Sequence, residues 1–183
     1  MGGRKATRAA AGRPLAAYPA DALASVADVV AVVGKSRDDL PALEGVEVWD
    51  DEPVEPRHPA AGIAHALGRA GGRDILVCAA DMPFVGEAEC RSIAAAAAGD
   101  EGSLASAVLA AAGGEVEPLL GIYRADARDL LLRGAIEGEP TRSIAAALEP
   151  VVVELDQAAL RSVNTPEALA AADRELRQPR SRT

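Results

Sequence analysis

An alternation along the chain narrows the fold more than any other feature. Short apolar runs, several of them rich in β-branched residues, take turns with longer alanine-rich stretches of helical character. Asp28–Val33 (DVVAVV) ends at Gly34 and reads as a buried strand followed by a turn. Gly45–Trp49 alternates apolar with polar residues, as a strand nearer an edge does. Pro59–Ala70 has Pro at its start and Gly just past its end, the signature of a helix. Asp74–Ala80 (DILVCAA) is the most strand-like run, and Gly86–Ala98 is a helix stopped by Gly99. Ser103–Leu109 and Pro118–Tyr123 read as strands on either side of a turn over Ala110–Glu115. Asp126–Arg133 reads as a helix capped by Asp126 and closed at Gly134, and Thr141–Leu148 as one begun by Thr141. Pro150–Leu155 is a late strand. Pro166–Arg177, behind Thr165, is the last helix.

Strands that are apolar throughout belong to a parallel sheet covered on both faces. The expected fold is therefore α/β in three layers: a mostly parallel, open, Rossmann-like sheet with helices on both faces. One domain is expected over residues 1–177, with a solvated tail over 178–183. Among 183 residues there are one Trp, one Phe and two Tyr, so the core must be built from Ala, Val, Leu and Ile.

Charge and cysteine content exclude several functions. The 19 basic and 28 acidic side chains leave a net charge of −9, which argues against a protein that holds nucleic acid by bulk charge. No apolar run approaches the ~20 residues of a membrane-crossing helix, so no membrane partner is expected. Cys78 and Cys90 fit neither a disulfide framework nor a zinc site, and a reducing cytoplasm is the expected compartment.

Ligands of such sheets sit beyond the carboxyl ends of the strands. This singles out three loops: Gly34–Lys35, Asp50–His58 and Asp81–Val85. Asp81 directly follows the strongest strand. A carboxylate there suits Mg²⁺, which takes few protein ligands and fills its shell with water and phosphate oxygens. An Asp in this position also serves as a turn former or helix cap. Asp50-Asp51 ends another strand and could contact a nucleotide, or could simply be solvated. Gly2-Gly3-Arg4-Lys5 could cradle phosphates with backbone N–H groups and a cation. No nucleophile stands beside a general base.

These strings, in order, resemble the MobA-like nucleotidyltransferases, which include molybdenum cofactor guanylyltransferase. Met1-Gly2-Gly3-Arg4-Lys5-Ala6 is similar to the family's Met-Gly-x-Asp-Lys-Ala, and Gly12-Arg13-Pro14-Leu15 to its Gly-Arg-Pro-Leu. Pro59-Ala60-Ala61-Gly62-Ile63 resembles Pro-Leu-Ala-Gly-Ile, and Asp81-Met82-Pro83-Phe84 resembles Asp-Met-Pro-Phe. Pro118-Leu119-Leu120 with Tyr123 resembles the His-Pro-Leu…Tyr strand. Asn164-Thr165-Pro166-Glu167 resembles Asn-Thr-Pro-Glu.

The resemblance implies transfer of GMP from GTP to molybdopterin, with Mg²⁺ as cofactor and a molybdoenzyme or its chaperone as a further partner. It implies Asp81 as Mg²⁺ ligand, Lys5 on the triphosphate beside Gly2 and Gly3, and Asp51 as the nucleotide-contacting acid. Gly62 and Asn164 fall on the side that receives the pterin. Arg4 and Glu117 stand where the family has Asp and His. The family's Leu-Ala-Gly-Gly…Ser-x-Arg loop, with the strand before it, has no counterpart here. Two expectations follow from that: a natural start upstream of Met1, or a divergent form without GTP binding. Related readings with the same residues are cytidylyl transfer, another acceptor, or a non-catalytic pterin- or partner-binding protein.

Overall fold

Gly113 and Gly114 decide the centre of the sheet. Both adopt positive φ, 59° and 79°, as a two-residue hairpin turn demands. In the computed structural model, which describes residues 8–53 and 55–178, the expected turn over Ala110–Glu115 is therefore much shorter. The flanking strands run up to the glycines, as β6 (Ala107–Ala112) and β7 (Glu115–Tyr123), and pair antiparallel. Residues 103–106 lie outside any strand.

The earlier elements are β1 (Ala9–Ala10), β2 (Arg13–Pro14), α1 (Ala17–Leu23), β3 (Ala31–Val33), β4 (Glu47–Trp49), α2 (Pro59–Arg69), β5 (Ile75–Cys78) and α3 (Glu87–Ala98). After β7 come α4 (Arg128–Glu137), α5 (Thr141–Ala146), β8 (Val151–Glu154) and α6 (Pro166–Leu176). The main sheet has the order β5-β7-β6-β8, with β6 and β8 parallel and β7 antiparallel to both its neighbours. β3 and β4 form a separate parallel pair, and β1 and β2 a small antiparallel one. The chain is thus the α/β fold expected, with β7 running against the other strands of the main sheet.

Alternation along β6 sends neighbouring side chains to opposite faces. Leu109 joins Ile63, Leu67, Tyr123, Leu131 and Ile144 beneath α2, α4 and α5. Val108 joins Met82, Cys90, Ile93 and Leu120 beneath α1 and α3. A third cluster of Ala10, Leu15, Phe84, Val163 and Ala172 fastens α6 to β1 and to the loop after β5.

Three helix ends differ from expectation. Asp126 does not cap α4; it accepts a hydrogen bond from the Ser106 hydroxyl at 2.7 Å, in a 3-10 turn ahead of the helix. Gly134 lies inside α4, where a side chain would strike Ile144 at 2.6 Å, and the left-handed Gly138 closes the helix instead. Thr141 opens α5 without a side-chain cap.

Candidate active site

The turn after β5 is held from below by its apolar residues. Met82, Pro83, Phe84 and Val85 are all buried, and Met82 N–H donates to the Ala79 carbonyl at 3.1 Å. This anchoring leaves Asp81, half-buried, at the carboxyl end of the strand. Its carbonyl accepts from Val163 N–H at 2.8 Å, which brings the exposed Asn164 to the same rim. Thr165 then caps α6, its hydroxyl accepting from Ala168 N–H at 3.1 Å. Arg161 lies over the Phe84 ring at 4.0 Å and pairs with Glu175. The structure therefore joins two of the expected residues, Asp81 and Asn164, from distant parts of the chain.

Because β7 runs against β5, its beginning lies at this same end. Ala79 N–H donates to the Leu119 carbonyl at 2.9 Å, and Glu117 accepts from Leu119 N–H at 2.9 Å. Asp81 and Glu117 both act on Cys78, whose thiol is pushed well above its ordinary value. Burial is the chief cause, followed by Cys90 and then by these two carboxylates. Glu117 is the residue that sequence reasoning passed over. The sign of it was there, in a carboxylate standing where the family has His.

The loop after β4 holds two acids with different surroundings. Asp51 turns to the surface of α2, where Arg69 reaches it at 2.7 Å and His65 at 3.3 Å. Partial desolvation pushes its carboxyl up, but hydrogen bonds from Arg69, its own backbone and His65 outweigh this, and the net shift is downward. Glu52 faces inward instead. It pairs with Lys35 at 2.8 Å, its side chain only 11% exposed, and lies against Gly62, where an added Cβ would sit 3.5 Å from the carboxylate. Glu52 and Gly62 line a cavity of about 610 Å³ between β3 and β5; Asp51 does not. His58 accepts from Ala60 N–H at 3.2 Å and caps α2. Gly2, Gly3 and Lys5 lie outside the described residues, as does the tail beyond Gln178.

Hard oxygen donors at the end of β5 suit Mg²⁺. No group of three or more His, Cys, Asp or Glu that could hold a metal occurs among the described residues. One carboxylate, with substrate phosphates completing the shell, is a common arrangement for Mg²⁺. Asp81 is the residue that would hold such an ion.

An α/β sheet of this topology, carrying an acid at the carboxyl end of β5, is that of the Rossmann-like nucleotidyltransferases. The description of the MobA-like NTP transferase domain matches residues 1–153, and the chain belongs to that family. It is a nucleotidyltransferase, with a nucleoside triphosphate as substrate. Molybdopterin-guanine dinucleotide biosynthesis protein A from Archaeoglobus fulgidus is similar to it in structure, with a TM-score of 0.69 and 23% identity over 94% of this chain and 90% of that one. The 2-C-methyl-D-erythritol 4-phosphate cytidylyltransferase of Thermus thermophilus gives 0.67 and 19% over 97% and 96%. The 4-diphosphocytidyl-2C-methyl-D-erythritol synthase of Anaerococcus prevotii gives 0.70 and 12% over 94% and 93%. No curated protein matches the chain. Among the described residues, no helix is long and apolar enough to cross a membrane.

Proposed function

We propose that the protein transfers GMP from GTP to the terminal phosphate of molybdopterin. The observation carrying this reading is the Val163–Asp81 hydrogen bond of 2.8 Å, which sets Asn164 beside the acid that follows β5. One rim then has a carboxylate for a metal–triphosphate and an amide for a second substrate. In the reaction a phosphate oxygen of the pterin forms a bond to the α-phosphorus of GTP. The bond from that phosphorus to the bridging oxygen breaks, and pyrophosphate leaves with the electron pair. The attacking oxygen is already anionic, so no general base is required, consistent with the absence of a nucleophile–base pair in the sequence.

Bound Mg²⁺ would supply charge neutralisation for the phosphate oxygens. Asp81 holds it, and Asn164 and Gly62 border the acceptor. Lys5, with Gly2 and Gly3, is assigned to the triphosphate, where its cation offsets charge on the leaving group. Asp51, exposed and paired with Arg69, is assigned to the nucleotide. A molybdoenzyme or its chaperone is the proposed recipient of the product. The site of action is proposed to be the cytoplasm.

The test is pyrophosphate release with molybdopterin and each of GTP, CTP and ATP, with and without Mg²⁺. GTP and Mg²⁺ should both be required. Turnover with CTP alone would replace the guanylyl reading with a cytidylyl one. Asp81→Asn should lower turnover by about 10²-fold or more while far-UV circular dichroism stays unchanged; full activity in that variant would remove Asp81 from the metal site.

A further inference from the structure

The most enclosed ion pair among the described residues joins Lys35 to Glu52, whose side chains are 25% and 11% exposed. Its place follows from the strands. β3 and β4 are parallel, with Val33 beside Trp49, so the loops that follow them leave at the same end. Glu52 N–H donates to the Gly34 carbonyl at 3.2 Å and ties these loops together. This is the end at which an α/β sheet takes its ligand. Taking two charges out of water is costly, and an exposed pair would join the loops as well.

The carboxylate is only half used. Glu52 Oε1 accepts from Lys35 Nζ at 2.8 Å, and the same ammonium donates to the Pro53 carbonyl. Among the described residues nothing donates to Oε2, and no third group accepts from the ammonium. Both oxygens lie against Gly62: a Cβ there would sit 3.5 Å from Oε1 and 3.8 Å from Oε2. The missing side chain leaves room over the carboxylate. Glu52 also lines the cavity of about 610 Å³, whose wall continues along β5 to Ala80, the neighbour of Asp81.

Taken in order, Oε2, Oε1 and Nζ offer acceptor, acceptor and donor, with no net charge. The complement is a flat neutral edge that offers donor, donor and acceptor. A 2-amino-4-oxopyrimidine ring has that edge in its amino group, the adjacent ring N–H and the oxo group. Guanine and pterin both contain it. Adenine and cytosine instead carry a ring nitrogen lone pair where the N–H is needed, and this would face the negative Oε1. We infer that Lys35 and Glu52 are specificity-determining residues that read the 2-amino-4-oxo edge of a substrate ring. The inference deepens the proposed reaction and rests on it for the two sources of such a ring, the guanine of the nucleotide and the pterin of the acceptor.

The test is equilibrium binding in the presence of Mg²⁺, with no turnover required. GTP is compared with inosine triphosphate, which lacks the amino group. Pterin is compared with lumazine, which carries an oxo group in its place. The wild-type chain should favour the amino compound by about tenfold or more in at least one pair. In Glu52→Gln that ratio should fall towards one. Loss of the GTP preference assigns the edge to guanine, and loss of the pterin preference assigns it to the acceptor. The exchanged pair, Lys35→Glu with Glu52→Lys, keeps an ion pair between the loops but reverses the order of donors and acceptors. It should keep the wild-type melting temperature and lose the preference, whereas a purely structural pair would keep both. If either variant fails to fold, Gly62→Ala must lower the same ratio, because it sets a methyl group over the carboxylate in a helix that favours Ala. The inference is overturned if the wild type distinguishes neither pair, or if its preference survives in the folded variants. The two readings fail separately. Unchanged ratios with GTP turnover intact sink the inference alone; a retained ring preference without pyrophosphate release from GTP sinks the reaction alone.

Discussion

The two halves of this fold are finished to different degrees. In β6, Ala107 through Ala111 are fully buried, each strand neighbour is in place, and helices cover both faces. In β3 no residue is fully buried, β4 is its one strand neighbour among the described residues, and a cavity borders its other edge. Both halves are built from similar small apolar residues. The difference is thus one of neighbours rather than composition: a strand draws its stability from what lies on each side of it.

The largest effect that could break this comparison is a core truncation made in both halves. Leu109→Ala should cost about 2–5 kcal/mol in denaturant unfolding, and Val32→Ala about 1 kcal/mol or less. Equal costs would mean that β3 is as well packed as β6. A smaller effect concerns the finished half's lower end. Arg124 donates to the carbonyls of Ala97, Gly102 and Ala105 at 3.1, 2.8 and 2.8 Å and pairs with Asp74. Arg124→Ala leaves these acceptors without their donor and should cost about 1–3 kcal/mol, read as a lowered melting temperature. Thr165→Ala removes the cap of α6 and should cost about 1 kcal/mol in the same measurement.

The smallest effect is one of pH. The Asp173 carboxyl is held below its ordinary value by the Arg177 hydrogen bond first and by Ala11 N–H, which donates to it at 2.8 Å. A carboxyl lowered in the folded state contributes stability above its unfolded value near 3.8, and that contribution is lost as pH falls below it. Acid titration of the wild-type chain should therefore loosen α6 from β1 in that range. Asp173→Asn should flatten this part of the profile; an unchanged profile would show that α6 docking does not depend on this carboxylate.

How much of this was legible in the sequence depends on the range of the interaction. The helix of Pro59 and the cap of Thr165 are local, written within one turn by Pro and by a hydroxyl. The strand at Ile75–Cys78 and the acid after it could be read from one apolar run. The joining of Val163 to Asp81 could not, since it depends on α6 docking through Phe84 and Ala172. Nor could the inward turn of Glu52 beside the outward turn of Asp51: adjacent acids differ only in whether Lys35 or Arg69 is within reach. Glu117 reaches the rim because Gly113 and Gly114 reverse the chain, and the residues themselves do not announce how far the paired strands extend beyond that turn.

Cys78 has a chemical consequence of its own. It borders an open cavity, so a small electrophile could reach it. Yet a thiol must lose its proton to become a nucleophile. Low polarity and two negative neighbours keep that proton in place, so the sulfur should resist alkylation and oxidation at neutral pH even where there is room to approach. Slow labelling at this position would report electrostatics and not a closed door.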